Sequence, residues 1–368
     1  MGYLIRELLS ALETLAPPAY QESYDNAGLI VGDADAEVRG VLCALDVTEE
    51  VVEEAIRLGC NLIVAHHPIV FKGLKRLTGA NYVERTVLKA IRADVALYAI
   101  HTNLDAVLEG VNGALLARLG VHKGRILAPK GEQLLKLITF VPHAHREAVS
   151  EALFQAGAGQ MGAYSACSFY SEGTGTFKGG PDSQAFVGEK GQLHREPESK
   201  LEVLLPRHRQ SAVLRALLQA HPYEEVAYDL LALENRLQEV GSGMVGELPE
   251  PMEPVDFLHA MKKQLDLVTF KHTALPAAGK KIRRVAVCGG SGIFLLGAAK
   301  AAGADIFITS DIKYHEFFDA DNQLILCDIG HYESEVHTKE LLKTFISKKF
   351  PNIALYLTSV ITNPITYF

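Results

Sequence analysis

One pattern, met near each end of the chain, constrains the fold more than any other feature. Val41-Leu42-Cys43-Ala44-Leu45-Asp46 reads as a strand, Thr48 caps a helix running from Glu49 to Leu58, and Gly59 closes it. Leu62-Ile63-Val64-Ala65 then reads as the next strand. Toward the other end, the strand Arg284-Val285-Ala286-Val287-Cys288 leads through Gly289-Gly290-Ser291-Gly292 into a helix that reaches Ala302-Gly303, and residues 304–309 form another apolar run. Short apolar runs joined by a single helix are βαβ units, and such units build parallel sheets. Aligning Gly59 with Gly303 sets His66 and His67 opposite Ser310 and Asp311. The two ends therefore read as an internal repeat that builds one sheet system with a shared crevice.

The middle carries a different repeat. Val141-Pro142 is followed by Ala148, Val149, Leu153 and Gln155, and Leu205-Pro206 is followed at the same offsets by Ala212, Val213, Leu217 and Gln219. Each copy reads as strand, helix, strand, so residues from about 132 to 236 are predicted to form a ferredoxin-like β-α-β-β-α-β domain. The Gly-rich run 173–180 is expected to be a mobile loop between the halves. His221-Pro222-Tyr223-Glu224-Glu225 reads as a helix-to-strand loop, with a metal site as the alternative. The predicted fold class is α/β: residues 1–131 and 237–368 are two βαβ-based halves of one metal-binding domain, interrupted by the α+β insert 132–236.

Composition narrows the setting. A length of 368 residues suggests two or three domains, and 48% hydrophobic residues fit a packed globular chain. A net charge of -8 argues against a polyanion-binding surface, so nucleic acid is not an expected partner. The five cysteines are scattered and lack a C-x-x-C pair, which points to a reducing compartment. The first residues lack the pattern of a signal peptide, and no apolar run is long enough to span a membrane. The expectation is a cytoplasmic protein with no membrane partner.

Residues that bind metals gather at the predicted strand ends. His66-His67-Pro68 follows a strand, at the carboxyl edge where open α/β sheets bind ligands. Two imidazoles there suit a metal, or a strand end capped by hydrogen bonds. His101 and Asp105 follow the strand 95–100. His331 and Glu335 lie four residues apart, so on a helix they share a face and can grip one metal or span two. His66, His67, Asp105, His331 and Glu335 offer three imidazoles and two carboxylates, a set suited to zinc, iron, manganese or nickel. A bridging carboxylate, most simply Glu335, would hold two ions about 3.5–4 Å apart, as in two-metal hydrolytic sites. His101 could orient a ligand or shuttle a proton, or be a buried hydrogen-bonded histidine. Gly289-Gly290-Ser291-Gly292 could offer N–H groups to a phosphate, or serve a tight strand-to-helix turn.

The phrases Tyr24-Asp25-Asn26-Ala27-Gly28-Leu29, Ala65-His66-His67-Pro68, His101-Thr102-Asn103-Leu104-Asp105, Ser310-Asp311-Ile312-Lys313-Tyr314-His315 and Gly330-His331-Tyr332-Glu333-Ser334-Glu335 occur in this order. Together they resemble the NGG-interacting factor 3-like family, whose members are labelled GTP cyclohydrolase 1 type 2 homologues. The resemblance covers nearly the whole chain, and the middle domain looks like the PII-like or CutA-like insert of the longer bacterial members. Tyr24 stands where the family often has Trp. The resemblance implies two divalent transition-metal ions, zinc or iron. It implies that His66 and Asp105 bind one, His67 and His331 bind the other, and Glu335 bridges. It also implies a toroidal homohexamer with the metal sites facing an internal cavity. Two functions compete at this stage. One is a metal-dependent hydrolase acting on a nucleotide or small heterocycle, of the GTP cyclohydrolase kind. The other is a non-catalytic metal-binding ring that delivers metal or regulates.

Overall fold

The computed structural model describes residues 2–276 and 279–368. They divide into two compact units, one made of the chain up to Pro129 and from Gln238 onward, the other of Lys130–Leu237.

The first unit contains two separate sheets where the repeat predicted one system. The first sheet runs in the order Gly28–Val31, Ala96–Ala99, Leu62–Ala65, Val41–Ala44, Leu355–Leu357. Its three central strands are parallel, and Gly28–Val31 is antiparallel to its neighbour. The second sheet runs Lys271–His272, Ile325–Asp328, Ile306–Thr309, Ile282–Val287, Leu237–Met252, His122–Lys130. Here a parallel trio is flanked by antiparallel strands on both sides. Those flanking strands occupy the hydrogen-bonding edges that a continuous sheet would need, so the two trios cannot pair. Each half instead lends a strand to the other: Leu355–Leu357 pairs in parallel with Val41–Ala44, and His122–Lys130 sits beside Leu237–Met252.

Local chemistry sets the repeated helices. The Thr48 hydroxyl accepts from Val51 N–H to cap Glu49–Arg57. The Asn81 side chain accepts from Glu84 N–H to cap Tyr82–Arg92. Gly59 and Gly303 close their helices with φ of +72° and +67°, the left-handed turn that glycine enters without a Cβ clash. The strands Val41–Ala44, Leu62–Ala65, Ala96–Ala99, Ile306–Thr309 and Ile325–Asp328 are buried along their whole length. In the second sheet Val285, Val287, Ile306, Ile308 and Ile325 pack on Phe257 and Met261. On its other face Ala286, Phe307 and Leu326 pack on Leu296 and Ala299. In the first sheet Leu42, Ile63 and Leu97 pack on Val51, Val52, Ala55 and Ala90 of the two capped helices. Full burial of such side chains contributes about 1.5–3 kcal/mol each, so the frame behind the strand ends is firm.

The second unit is a four-stranded antiparallel sheet in the order Ser168–Lys178, Leu193–Pro206, Leu134–Pro142, Tyr228–Ala232. Val149 and Leu153 of Arg146–Gln155, with Val213 and Leu217 of Gln210–Ala220, pack on Leu137, Val141, Leu201 and Val203 of the sheet. Most of the Gly-rich run is strand and not loop, since residues 173–178 pair in register with 193–198. The ladder supplies the backbone bonds there, and Thr174, Thr176 and Phe177 continue the strand past the glycines. Among the described residues no helix is long and apolar enough to cross a membrane.

Candidate metal centre

The five predicted ligands meet at one place in the first unit. His66 and His67 follow Leu62–Ala65, and their N–H groups still bond to Ala44 and Leu45 carbonyls of the neighbouring chain segment. Both imidazoles nevertheless turn to the same side, with ring centroids 4.9 Å apart. Asp105 closes the short helix Thr102–Asp105. His331 and Glu335 span the helix His331–Glu335 and face the same way, Nε2 to Oε2 3.1 Å.

Glu335 is the hub. It is 3% exposed, and its Oε2 lies 2.9 Å from His67 Nε2 and 3.1 Å from His331 Nε2. Its Oε1 faces His66 Nε2 at 3.9 Å, and His66 Nε2 lies 3.7 Å from Asp105 Oδ1. One oxygen thus turns to His67 and His331, the other to His66 and Asp105. Among the described residues, groups able to hold a metal are His67 with His331 and Glu335, His66 with Asp105 and Glu335, and His66 with His67 and His101.

Each histidine is fixed from behind through Nδ1. His66 is fully buried, and its Nδ1–H donates to the Ile100 carbonyl at 2.9 Å. A carbonyl only accepts, so the proton sits on Nδ1 and Nε2 presents a lone pair to the site. His67 Nδ1 meets Asp46 Oδ1 at 2.7 Å, His331 Nδ1 meets Asp311 Oδ2 at 2.6 Å, and His101 Nδ1 meets Asp25 Oδ1 at 2.7 Å. Thr362 in turn donates to the second oxygen of Asp46 at 2.5 Å. Oxygen partners on the far nitrogen orient imidazole ligands and raise their basicity.

The electrostatics follow from this packing. Burial disfavours a charged Glu335, but the hydrogen bonds from His331 and His67 outweigh it and hold the carboxyl well below its usual range. Asp105 is pushed well above its usual range by burial and then by the charge of Glu335. Burial lowers His66. It also opposes the charge on His67, yet Asp46 and Glu335 on its two nitrogens raise it to about 10. The bond to Glu335, opposed by burial and aided by Asp311, raises His331 to about 9. Asp25, though partly buried, is lowered to about 2 by bonds from His101 and Thr102.

The donor set fits a metal on one further observation. His66 Nε2 and Asp105 Oδ1 are both buried and, among the described residues, have no hydrogen-bond partner. Two unpaired polar atoms that face each other at 3.7 Å carry an unrelieved desolvation cost, of about 1–3 kcal/mol each. A cation between them removes that cost. None of the groups able to hold a metal among the described residues includes a cysteine, so the donors are nitrogen and oxygen alone.

Two other motifs do not serve ligands. In the glycine run, Gly289 N–H donates to Asn112, Gly290 N–H to the Ser334 hydroxyl and Gly292 N–H to the Thr309 hydroxyl. These groups are spent internally, and the run acts as a close-approach turn beside Glu335. Both nitrogens of His221 are also engaged, by the Phe140 carbonyl and the Tyr223 N–H, so the loop reading of 221–225 stands over the metal one. Asp25, Asp46 and the Asp311–His331 contact were not foreseen. Asp46 and Asp311 shared one available signal: each follows a parallel strand at its carboxyl edge.

The comparisons with known proteins agree with this architecture. The profile of the family described as Duf34/NIF3 (NGG1p interacting factor 3) matches residues 3–364. A protein of Halalkalibacterium halodurans named GTP cyclohydrolase 1 type 2 homolog is 38% identical over 365 residues, 98% of each chain. The crystal structure of a Bacillus cereus protein related to NIF3 superposes with a TM-score of 0.84 at 37% identity and covers 100% of both chains. A Staphylococcus aureus protein superposes with a TM-score of 0.79 at 33% identity, covering 100% of this chain and 99% of its own. The chain belongs to the Duf34/NIF3 family.

Proposed function

We propose that the centre holds two divalent transition-metal ions, zinc or iron, one on His66 and Asp105, the other on His67 and His331, with Glu335 shared. We propose further that the chain is a metal-dependent hydrolase acting on a nucleotide or other small heterocycle. The observation that carries the reading is the pair of unsatisfied buried atoms, His66 Nε2 and Asp105 Oδ1, across from a carboxylate whose two oxygens face different donor pairs. Such ions supply Lewis acidity and make water acidic enough to react near neutral pH.

The chain's own residues provide the rest. A cleft of about 750 Å³ opens beside the centre, lined by His67, His101, His331, Phe71, Lys72 and Tyr82. Phe71 and Tyr82 are half-exposed or more and offer faces to a flat ring. Lys72 offers a positive charge to a phosphate. His101 stands at the wall of the cleft, held by Asp25 and with its ring edge-on to His66 and His67. It is placed to move a proton between water and substrate. The family resemblance supports two further proposals, a toroidal homohexamer and an insert of ferredoxin-like type at residues 132–236.

The test is a panel of nucleotides that includes GTP, with formate release and ring opening followed on protein of measured metal content. Saturable turnover that disappears on chelation and returns with metal is the expected result. Transfer of metal to an acceptor with no turnover on any member would favour the delivery or regulatory reading.

A further inference from the structure

The second unit contains a built cavity that the metal centre does not use. It has a volume of about 730 Å³, within the range of small-molecule sites, and lies on the sheet face away from the two helices. Its floor is bare at Gly173, where an added Cβ would meet only the Glu198 carbonyl oxygen, at 4.0 Å. A Cβ at Gly175 would fall 2.1 Å from Glu198 Oε2, so the glycine makes room for that carboxylate to lie over the strand. Phe140, Phe177, Phe186 and Tyr223 form the walls, with Tyr223 6.1 Å from Phe177 and 6.2 Å from Phe186 between ring centroids. The roof segment is tied down by Glu224, whose carboxylate accepts from Gln184 N–H at 2.8 Å.

Glu198 decides what the cavity takes. It is 7% exposed, and the Tyr223 hydroxyl donates to its Oε1 at 2.7 Å. Among the described residues it forms no ion pair, and Lys200, the lysine nearest in sequence, is paired with Glu202. A buried carboxylate without a counter-charge is costly. Glu172 is paired with Arg146 and His143, and Lys200 with Glu202; of the remaining charged lining residues, Glu198, Glu224 and Glu225 face Lys178, so the local charge is negative. Aromatic faces and a buried carboxylate together select a cation with an apolar body.

We propose that this cavity binds a small organic cation, its ammonium or guanidinium group on Glu198 and its apolar body among Phe140, Phe177, Phe186 and Tyr223. The site does not depend on the metal centre. The probe is tryptamine, titrated into the full chain. The protein has no tryptophan, so the indole emission and its anisotropy report the bound probe directly. Tryptophol, neutral, and indole-3-propionate, anionic, carry the same ring. Tryptamine should saturate, and the other two should bind at least about tenfold more weakly, since neither can place a cationic group on the Glu198 carboxylate. Glu198→Gln keeps the acceptor for Tyr223 and should weaken tryptamine by a similar factor. Phe186→Ala, at a half-exposed roof position, should weaken it without disturbing the fold. Equal binding of the three ligands, unchanged tryptamine binding in Glu198→Gln, or no binding to the native chain would each overturn the proposal.

Discussion

Gly290 gives the sharpest test of how the fold shapes the centre. Its φ is +62°, and a Cβ added there would lie 2.5 Å from Glu335 Oε1 and 3.4 Å from both Glu335 Cδ and His331 Cε1. Gly290→Ala therefore has two separable effects. The left-handed backbone costs a non-glycine residue about 1–2 kcal/mol, which in a unit of this size lowers Tm by about 2–4 °C per kcal/mol. The clash falls on the end of a side chain, so the fold can relieve it by moving the carboxylate. That carboxylate is held by His67 and His331, so its displacement spoils the shared ligand. Metal affinity should drop by about 10–100-fold, the range seen when the supports of a metal ligand are removed. Isothermal titration with zinc and thermal unfolding of the apo-protein measure the two effects on the same samples. Gly297→Ala is the control. Its Cβ would meet nothing within 4 Å in the helix Leu296–Ala301, so it should gain about 0.5–1 kcal/mol and leave metal binding alone. If Gly290→Ala bound metal as tightly as the native chain, the argument that Glu335 is fixed in a close-fitting cradle would fail.

Other consequences can be read from the contacts. Thr362→Val removes the donor to Asp46, whose other oxygen holds His67 Nδ1. Affinity for the ion assigned to His67 and His331 should fall by about tenfold, whereas Thr362→Ser should retain it in the same titration. Glu54 is buried, which opposes ionisation, yet bonds from Ser359 and Thr358 lower its pKa. A depressed folded-state value means that this stabilisation is complete above the unfolded pKa, about 4.3, and is lost as pH falls through the folded value. Urea midpoints of the native chain and Glu54→Gln should therefore differ at neutral pH and converge in acid. Replacing residues 132–236 by a short turn should leave a soluble protein that still binds metal, because the flanking strands are neighbours in one sheet. Loss of both solubility and metal would make the segment integral to the metal unit.

The parts of the fold that could be read from the sequence are those governed by local chemistry. The helix Tyr82–Arg92 and the strands Val41–Ala44 and Leu62–Ala65 follow from caps, glycine stops and apolar runs. His331 and Glu335 share a face because helix geometry requires it. What could not be read depends on edges and exchanges. Leu355–Leu357 is three residues long, with only its ends half-buried, and nothing local directs it to the sheet at the opposite end of the chain. The glycines from 173 onward looked like a loop because their pairing partner lies about twenty residues away. Asp46 and Asp311 look like ordinary strand ends until their histidines are placed against them. The five proposed ligands were legible because metal-binding residue types at strand ends are few. Their supports were not, because aspartate at a turn has many uses.

The central claim is that Glu335 serves two ions at once, and metal content per chain tests it most directly. Glu335→Gln keeps the size of the side chain and removes its charge, leaving two dications with less compensation. After identical dialysis, elemental analysis should show both ions depleted together in Glu335→Gln. In His66→Ala, where only the His66–Asp105 pair is broken, one ion should be lost and the other kept. Retention of both metals at native affinity by Glu335→Gln would contradict the shared-carboxylate arrangement.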